Sequence, residues 1–480
     1  MRGVTPFAIA ASLLSTCTEG IKLHKRTDGP ARVVGFDVGK RSVSDPLSRD
    51  RLRRRTDTVQ ATLDNEETLY FANATLGTPA QSFRLHIDTG SSDLWVNSAT
   101  SSFCKAKGSP CAFAGTYSAN SSSTYSYIAS DFNISYVDGS GASGDYVTDA
   151  FTIGSTKLAS LQFGIGYTSS SAEGILGIGY QINEVQVGRA GKAAYNNLPA
   201  QLVADSLIQS NAYSLWLNDL DANTGSILFG GVDTAKYHGS LETLPIQKES
   251  GVFAEFLITL TEVTLGSTII AKNQAQAVLL DSGSSLTYLP DAMTEAIYQE
   301  VSAQYDSTEG AAYVPCSLAN NATALNFTFT TPTISIPMNE LVLDVTANNG
   351  RQLTFSDGSA ACLFGIAPAG SSTAVLGDTF IRSAYLVYDL DNNEISIAQT
   401  NFNTTDTTVL EIGTGTTAVP DATLVANAVT AVAGTNGGAI AGTVTIGGTA
   451  TSEGAAQRTA APINLGAMAA VGAGIVYAAM

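Results

Sequence analysis

Short apolar runs that end in tight turns follow one another between residues 66 and 400. Residues 66–78 alternate apolar and polar side chains before a turn at Gly77, and residues 134–144 hold apolar strand starts around an Asp-Gly turn. Alternation and turn residues of this kind predict strands and hairpins. A sustained 3.6-residue period is scarce, so long helices are not expected. The pattern predicts an all-β protein.

Two of these runs deliver an aspartate into a glycine-containing turn. Residues 83–87 lead into Asp-Thr-Gly-Ser-Ser, which starts at Asp88, and residues 278–280 lead into Asp-Ser-Gly-Ser-Ser, which starts at Asp281. Glycine allows a close backbone approach, so amide N–H groups and hydroxyls can hold a carboxylate that apolar neighbours would otherwise neutralise. A single copy of such a sequence is typical of an ordinary turn.

The duplication is what favours a functional reading. Each half carries a second signal of two apolar residues and a glycine, which ends at Gly177 in the first half and at Gly377 in the second. The separations are 89 residues from Asp88 to Gly177 and 96 residues from Asp281 to Gly377. Near-equal spacing indicates two copies of one β unit, each of which contributes one Asp to a central cleft.

These sequences resemble the pepsin-like aspartic proteases over about residues 65–400. The matching pieces are both Asp loops, the Asp-Leu-Trp-Val run that ends at Val96, the Ile-Ser-Tyr sequence that ends at Tyr136, and the Ala-Val-Leu-Gly-Asp sequence that ends at Asp378. The resemblance implies a bilobal pepsin-like fold in which two similar β-rich lobes enclose the active-site cleft. Residues 56–240 would form the N-terminal lobe and residues 241–400 the C-terminal lobe.

The resemblance also implies an aspartic endopeptidase with Asp88 and Asp281 as its catalytic residues. Two carboxyl groups about 3 Å apart share one proton. The ionised member takes a proton from a bound water, while the protonated member polarises the scissile carbonyl. This chemistry works at acid pH and is expected to need neither a metal ion nor another cofactor.

Further residues of the site follow from the same resemblance. A flap that closes over the peptide substrate is expected at Tyr136, Asp138, Gly139 and Ser140. Residues expected to support the catalytic pair are Thr89, Gly90, Ser91, Trp95, Ser282, Gly283 and Ser284. For Tyr136 and Trp95, a packing role as strand aromatics is the alternative.

The beginning of the chain carries processing signals. Residues 1–20 run from a basic start through an apolar stretch to small residues, as a secretory signal peptide does. Residues 21–55 hold 11 Lys or Arg against 4 Asp and end in a run of arginines, so we interpret them as a propeptide that is cut after Arg55. The remainder has 12 basic and 37 acidic residues, a formal charge of −25, which disfavours nucleic acid and favours cationic partners.

Cysteines and glycosylation sequons agree with secretion. Four cysteines remain after the signal peptide and allow three pairings. The pairs Cys104–Cys111 and Cys316–Cys362 close the shortest loops, and each would link one lobe, as in the resembled family. Asn-x-Ser/Thr sequons for N-glycosylation lie at Asn73, Asn120, Asn133, Asn321, Asn326 and Asn403.

The end of the chain changes to Thr, Ala, Gly and Val with almost no charge. This composition predicts an extended, O-glycosylated stalk over residues 401–454. The last residues match a glycosylphosphatidylinositol (GPI) signal, which consists of small residues, a polar spacer and an apolar end. The apolar end is shorter than the roughly 20 residues that a membrane-spanning helix needs. We expect residues 455–480 to be removed and the lipid to be attached at Gly454, with Ser452 as the alternative.

The chain is therefore expected to be a monomeric protease of the fungal cell surface, similar to the yapsins and candidapepsin-like proteases. It would reach the plasma membrane or cell wall through the secretory pathway, with free secretion as the alternative, and would cleave peptide and protein substrates. The rival from another class is a catalytically weak cell-wall binding or structural protein on the same fold. Such a protein would be expected to lose a catalytic Asp, and this chain keeps both.

Overall fold

Strands are the main regular secondary structure in the computed structural model, which describes residues 31–43, 67–136, 140–188, 190–222, 224–345, 351–431 and 445–446. Twelve strands lie in the first half: β1 (Val34–Val43), β2 (Glu67–Leu76), β3 (Gln81–Asp88), β4 (Leu94–Asn97), β5 (Ser126–Ser135), β6 (Gly141–Ile153), β7 (Thr156–Ser169), β8 (Gly174–Gly177), β9 (Ala212–Trp216), β10 (Thr224–Phe229), β11 (Gly231–Asp233) and β12 (Tyr237–Pro245).

The second half continues with β13 (Leu257–Leu260), β14 (Glu262–Leu265), β15 (Thr268–Lys272), β16 (Gln276–Leu280), β17 (Thr287–Leu289), β18 (Gln304–Asp306), β19 (Ala311–Pro315), β20 (Ala324–Thr328), β21 (Thr333–Pro337), β22 (Val342–Leu343), β23 (Ala361–Phe364), β24 (Ile366–Pro368), β25 (Ala374–Leu376), β26 (Ala384–Asp389), β27 (Glu394–Thr400), β28 (Val409–Glu411), β29 (Thr423–Leu424) and β30 (Thr445–Ile446).

Helices are short, as the scarcity of helical periodicity predicts. They are α1 (Val185–Gly188), α2 (Leu198–Ala204), α3 (Asp291–Val301), α4 (Met338–Leu341) and α5 (Asp378–Ile381). Within the described ranges, no helix has both the length and the hydropathy that a bilayer crossing needs. The prediction of an all-β protein is confirmed.

One long sheet joins the two halves. Its order is β29-β12-β27-β26-β9-β10-β1-β2-β3-β8-β4-β7-β6-β5, so strands from the second half lie beside strands from the first. The remaining sheets are β13-β16-β25-β17-β24, β21-β20-β14-β15-β30, β18-β19-β23-β22 and β11-β28. The junction of β26 with β9 is antiparallel, and it stacks Tyr213 on Tyr388 with ring centroids 4.9 Å apart.

The internal repeat is confirmed by strand pairing. In the first half β3 runs parallel to β8 and pairs Asp88 with Gly177, while β4 returns antiparallel to β8. In the second half β16 runs parallel to β25 and pairs Leu280 with Leu376, while β17 returns antiparallel to β25. Each aspartate loop therefore leaves one strand and re-enters the same sheet on the far side of the strand between, which is β8 in the first half and β25 in the second.

The second glycine signal has a steric reason. A Cβ atom on Gly177 would lie 2.6 Å from the backbone N of Asp93, and one on Gly377 would lie 2.3 Å from the carbonyl oxygens of Ser284 and Leu286. Real Cβ contacts are not that short, so each loop can fold back over its partner strand only where the residue lacks a side chain.

The folded body begins before the predicted start of the N-terminal lobe at residue 56. Strand β1, from the expected propeptide, pairs antiparallel with both β10 and β2 inside the long sheet. Val38 on this strand is fully buried. The alternation of exposed and buried side chains along residues 34–38 explains the fit, because a strand buried on one face can complete a sheet.

The body also extends beyond residue 400, which corrects the expected start of the stalk. Strand β28 pairs with β11, β29 pairs parallel with β12, and Ile412 is fully buried. The N–H of Ala431 donates to Oε1 of Gln247 and to Oγ1 of Thr259, both at 3.0 Å. Low charge and many small residues allow this segment, residues 401–431, to lie close along the body, so a composition that favours an extended chain is also compatible with packing.

Candidate active site

Asp88 lies at the end of β3 and is 1% exposed. The N–H of Gly90 donates to Oδ1 of Asp88 at 2.9 Å, and the hydroxyl of Ser91 donates to Oδ2 at 2.7 Å. Both oxygens of a buried carboxylate thus have a donor from the turn that follows, which stabilises the ionised form against burial.

Asp281 is held in the same way by the second copy of the turn. The N–H of Gly283 donates to Oδ1 at 2.8 Å, and the hydroxyl of Ser284 donates to Oδ2 at 2.7 Å. Asp281 is 8% exposed. The two carboxyl groups therefore have the same pair of donors from the turn, as the duplicated sequence predicts.

The two loops meet directly. A Cβ atom on Gly90 would lie 2.6 Å from Oδ1 of Asp281, so the second carboxyl rests against the backbone of the first loop. Thr89 and Ser282 bond to each other across this junction and to the carbonyls of Leu280 and Ile87. Two mutually bonded loops fix the relative position of the two carboxyl groups.

The flap hairpin lies over Trp95. Strands β5 and β6 pair up to Ser135 and Gly141, and the N–H of Tyr136 donates to the carbonyl of Ser140 at 2.8 Å. The indole Nε1 of Trp95 donates to the Tyr136 hydroxyl at 2.8 Å. Both aromatic residues thus form a polar contact as well as packing. The expected flap residues Asp138 and Gly139 lie outside the described residues.

The sequence of this chain matches a known protein family. The family model described as eukaryotic aspartyl protease matches residues 69–400, which contain both aspartate loops and the flap. The chain belongs to the eukaryotic aspartyl protease family. It is an aspartic-type endopeptidase with a pepsin-like fold.

Fungal proteases are among the similar sequences. The protease is 57% identical to the probable aspartic-type endopeptidase opsB of Aspergillus oryzae. The match covers 88% of this chain and 87% of the relative. It is 51% identical to the probable aspartic-type endopeptidase OPSB of Arthroderma benhamiae, over the full length of both chains. It is 35% identical to candidapepsin-3 of Candida albicans, and that match covers 80% of this chain and 89% of the relative. The similarity to fungal aspartic proteases expected from the sequence is confirmed.

A solved structure shows the same fold. The aspartic proteinase from Irpex lacteus superposes with a TM-score of 0.59 at 22% identity, over 78% of this protease and 99% of that chain. The two-lobed pepsin-like fold expected from the sequence is confirmed.

The protease also contains a polar network behind the flap that sequence reasoning missed. Asp93, 1% exposed, accepts hydrogen bonds from the hydroxyl of Tyr146 at 2.7 Å, the hydroxyl of Tyr195 at 3.0 Å and the N–H of Val185 at 2.8 Å. Tyr146 belongs to β6 of the flap hairpin, and Asp93 follows the Asp88 loop by sequence. The network therefore links catalytic loop and flap. Its only sequence signal is the Asp of the Asp-Leu-Trp-Val run.

Glu184 lies beside this network. Its Oε2 accepts the N–H of Tyr195 at 2.9 Å, and the residue is 1% exposed. Burial, together with the nearby carboxylate of Asp93, raises the pKa of Glu184 to about 9. The side chain is therefore neutral throughout the acid range.

A second group of acids lies near Asp281. Burial raises the pKa of Glu255 well above its ordinary value, and the carboxylates of Glu249 and Asp281 raise it further. Burial also raises the pKa of Glu249. These residues flank a turn at Ser250 and Gly251. The carbonyl of Phe256, which follows Glu255 and precedes β13, accepts the N–H of Leu280 at 3.1 Å. Sequence patterns gave no sign of this cluster.

Both expected disulfides are present. Cys104 is bonded to Cys111, and Cys316 is bonded to Cys362. Asp344 lies close enough to the second disulfide to suggest a metal site by distance alone. Since both sulfur atoms are in a disulfide, they are not thiolate ligands, and this group does not fit a metal ion.

The six sequons differ in their surroundings. Five of the asparagines are exposed, and Asn326 is half-buried. Asn326 donates from Nδ2 to Oγ1 of Thr264 at 3.1 Å and accepts from the hydroxyl of Ser335 at 2.7 Å, so both ends of its amide are engaged. Asn403 donates from Nδ2 to Asp219. The expected GPI site, Gly454, lies outside the described residues, as do residues 1–20 and 455–480.

Proposed function

We propose that this endopeptidase hydrolyses peptide bonds through Asp88 and Asp281, which share one proton and activate a water molecule between them. The observation that carries the proposal is the matched pair of turns, each of which gives its aspartate one backbone N–H and one serine hydroxyl. Matched donors on both sides let either carboxyl carry the proton, as a shared-proton pair requires.

In the proposed mechanism, the ionised carboxylate accepts a proton from the water as the oxygen attacks the scissile carbonyl carbon. The other carboxyl donates its proton to the carbonyl oxygen and so stabilises the tetrahedral intermediate. Proton transfer to the leaving amine nitrogen then allows the C–N bond to break. Thr89 and Ser282 keep the two loops in register, and Tyr136 lies on the hairpin that would cover the bound peptide.

Activity on denatured protein at acid pH tests this mechanism. We expect Asp88→Asn and Asp281→Asn each to abolish cleavage, because Asn can neither take nor supply the proton, while thermal unfolding stays near that of the wild type. The exposed Asp357, substituted to Asn, is the matched control. A peptide that mimics the tetrahedral intermediate should inhibit cleavage by the wild type. Substantial turnover by either dyad variant contradicts the proposal.

We further propose that the enzyme matures in the secretory pathway by cleavage after Arg55 and acts as a monomer anchored at the cell surface through a lipid near Gly454. The basic run before residue 56 and the terminal small-apolar composition support this. The acidic surface supports peptides with Lys or Arg beside the cleaved bond as substrates. N-terminal sequencing, release by phosphatidylinositol phospholipase and a peptide-library profile test the three points.

A further inference from the structure

A groove on the N-terminal lobe opens around one sequon asparagine. Asn73 lies on β2 and points outward, because its neighbours Ala72 and Ala74 are buried. Strand β2 is paired with β3 along this stretch and with β6 from Ala74 onward, so the direction of the Asn73 side chain is fixed by the sheet. Among the described residues, the side-chain amide of Asn73 has no hydrogen-bond partner.

The groove has a volume of about 510 Å³ and is lined by residues of β2, β3, the loop at residues 112–115, the end of β6 and the turn at Gly154 that follows it. That volume falls within the roughly 300–1,000 Å³ of small-ligand sites. Asn73 and its sequon partner Thr75 lie between the loop and the turn. A group attached to Nδ2 of Asn73 would therefore begin in the groove.

One wall of the groove is preformed. Arg84 lies directly across from Asn73 in the β2–β3 pair, and its guanidinium carbon is 4.3 Å from the ring centroid of Phe113. The backbone N–H of Arg84 donates to the carbonyl of Ala114 at 3.0 Å, and the Phe113 ring also contacts Phe71 edge-on at 5.7 Å. Phe113 is half-buried and Arg84 is exposed, so both can be reached from the groove.

We propose that Asn73 carries an N-linked glycan whose first N-acetylglucosamine is bound in this groove by Arg84 and Phe113. Guanidinium N–H groups can donate to the sugar hydroxyl and acetamido oxygens, and the aromatic ring can contact the apolar C–H face of the sugar. Covalent attachment removes most of the entropic cost of binding, so weak contacts suffice.

Attachment precedes folding. Nδ2 of Asn73 displaces the pyrophosphate from C1 of an oligosaccharide carried on a lipid pyrophosphate. The new N–C bond forms, the C1–O bond breaks, the lipid pyrophosphate leaves with the bonding electrons, and the amide proton passes to a base of the transferase. The strand then folds with the sugar on its outer face. The proposal requires passage through the secretory pathway and does not depend on catalytic activity.

The test is glycopeptide mass spectrometry and thermal unfolding of the full chain, secreted from a host that adds N-glycans. We expect the peptide that contains Asn73 to be glycosylated. The Tm of Asn73→Gln should be lower than that of wild type by about 2 °C or more. In the Arg84→Ala and Phe113→Ala backgrounds, removal of the glycan should no longer change Tm, and the endoglycosidase that cuts between the first two sugars should act faster on the native protein.

Controls separate this effect from general stabilisation by glycans. Asn120→Gln removes an exposed sequon on the turn at Ala119–Ser121, and its effect on Tm should be the same with and without Phe113→Ala. Arg84→Ala is informative even if Phe113→Ala fails to fold, because Arg84 is on the surface. An unmodified Asn73 peptide overturns the proposal. The proposal is also overturned if removal of the Asn73 glycan lowers Tm in the Arg84→Ala background by as much as it does in the wild type.

Discussion

Thr89 and Ser282 are 193 positions apart and exchange hydrogen bonds across the catalytic junction. The N–H of Thr89 donates to Oγ of Ser282 at 3.2 Å, and the N–H of Ser282 donates to Oγ1 of Thr89 at 3.0 Å. Each hydroxyl then donates onward to the carbonyl before the opposite aspartate, Leu280 for Thr89 and Ile87 for Ser282. The pair therefore aligns the two strands that end in Asp88 and lead into Asp281.

Removal of one hydroxyl from this pair should reduce activity and stability together. Ser282→Ala leaves the buried N–H of Thr89 without its acceptor, which costs about 1–3 kcal/mol. We expect a lower kcat, since the two carboxyl groups lose their fixed spacing, and a lower Tm. Ser282→Thr is the matched control, because the equivalent position already holds a threonine. Wild-type kcat in Ser282→Ala would show that the pair does not position the dyad.

Stability should fall as the pH rises from the acid range. Glu184 keeps its proton up to about pH 9 in the folded protein, whereas the unfolded chain loses it near the ordinary value of 4.5. Between these values the folded state binds more protons, so the free energy of unfolding decreases with rising pH by on the order of 1 kcal/mol per unit. Buried Asp389 and half-buried Glu394 have raised pKa values as well, and they act in the same direction.

Glu184→Gln tests that contribution. The Gln carbonyl can still accept the Tyr195 N–H but has no proton to lose. We expect Tm at pH 4 to change little and the decline of Tm between pH 5 and 8 to become shallower, with Glu295→Gln on the exposed face of α3 as the control. An unchanged decline would assign the pH sensitivity to the other buried acids.

Strand β1 should be necessary for folding although it precedes the predicted cut. Val38 is fully buried opposite Gly225, and Val38→Asp would bury an unpaired charge at a cost of several kcal/mol. Secretion yield should drop sharply, while Asp37→Ala on the exposed side of the same strand should be secreted normally. Normal yield of Val38→Asp would show that the enzyme folds without this strand.

Truncation should distinguish the packed C-terminal segment from the anchor. A chain that ends at Ala431 keeps β28, β29 and buried Ile412, so we expect a folded, active enzyme in the medium. A chain that ends at Thr400 exposes the surface that Ile412 and Val419 cover and should be secreted poorly or unfold at lower temperature. Equal Tm values for the two chains would contradict a stabilising role for residues 401–431.

The local chemistry of the active site could be predicted from the sequence. An apolar run, an aspartate, a glycine and two hydroxyl residues specify a strand and a turn within a few positions, and duplication of that unit indicates two such turns in one cleft. The flap hairpin and the Cys104–Cys111 disulfide, which joins residues 7 positions apart, are also short-range features. Each depends on residues whose neighbours in space are largely their neighbours in sequence.

Only the tertiary structure decided which distant segments complete the body. The exchange between Thr89 and Ser282, the bonds from Tyr146 and Tyr195 to Asp93, and the joining of residues 34–43 and 401–431 to the sheets all depend on pairings between remote parts of the chain. Hydrophobic pattern and composition describe what a segment can bury. Which strand edge remains open to receive it is set by the rest of the fold, and burial then determines the pKa of acids such as Glu184.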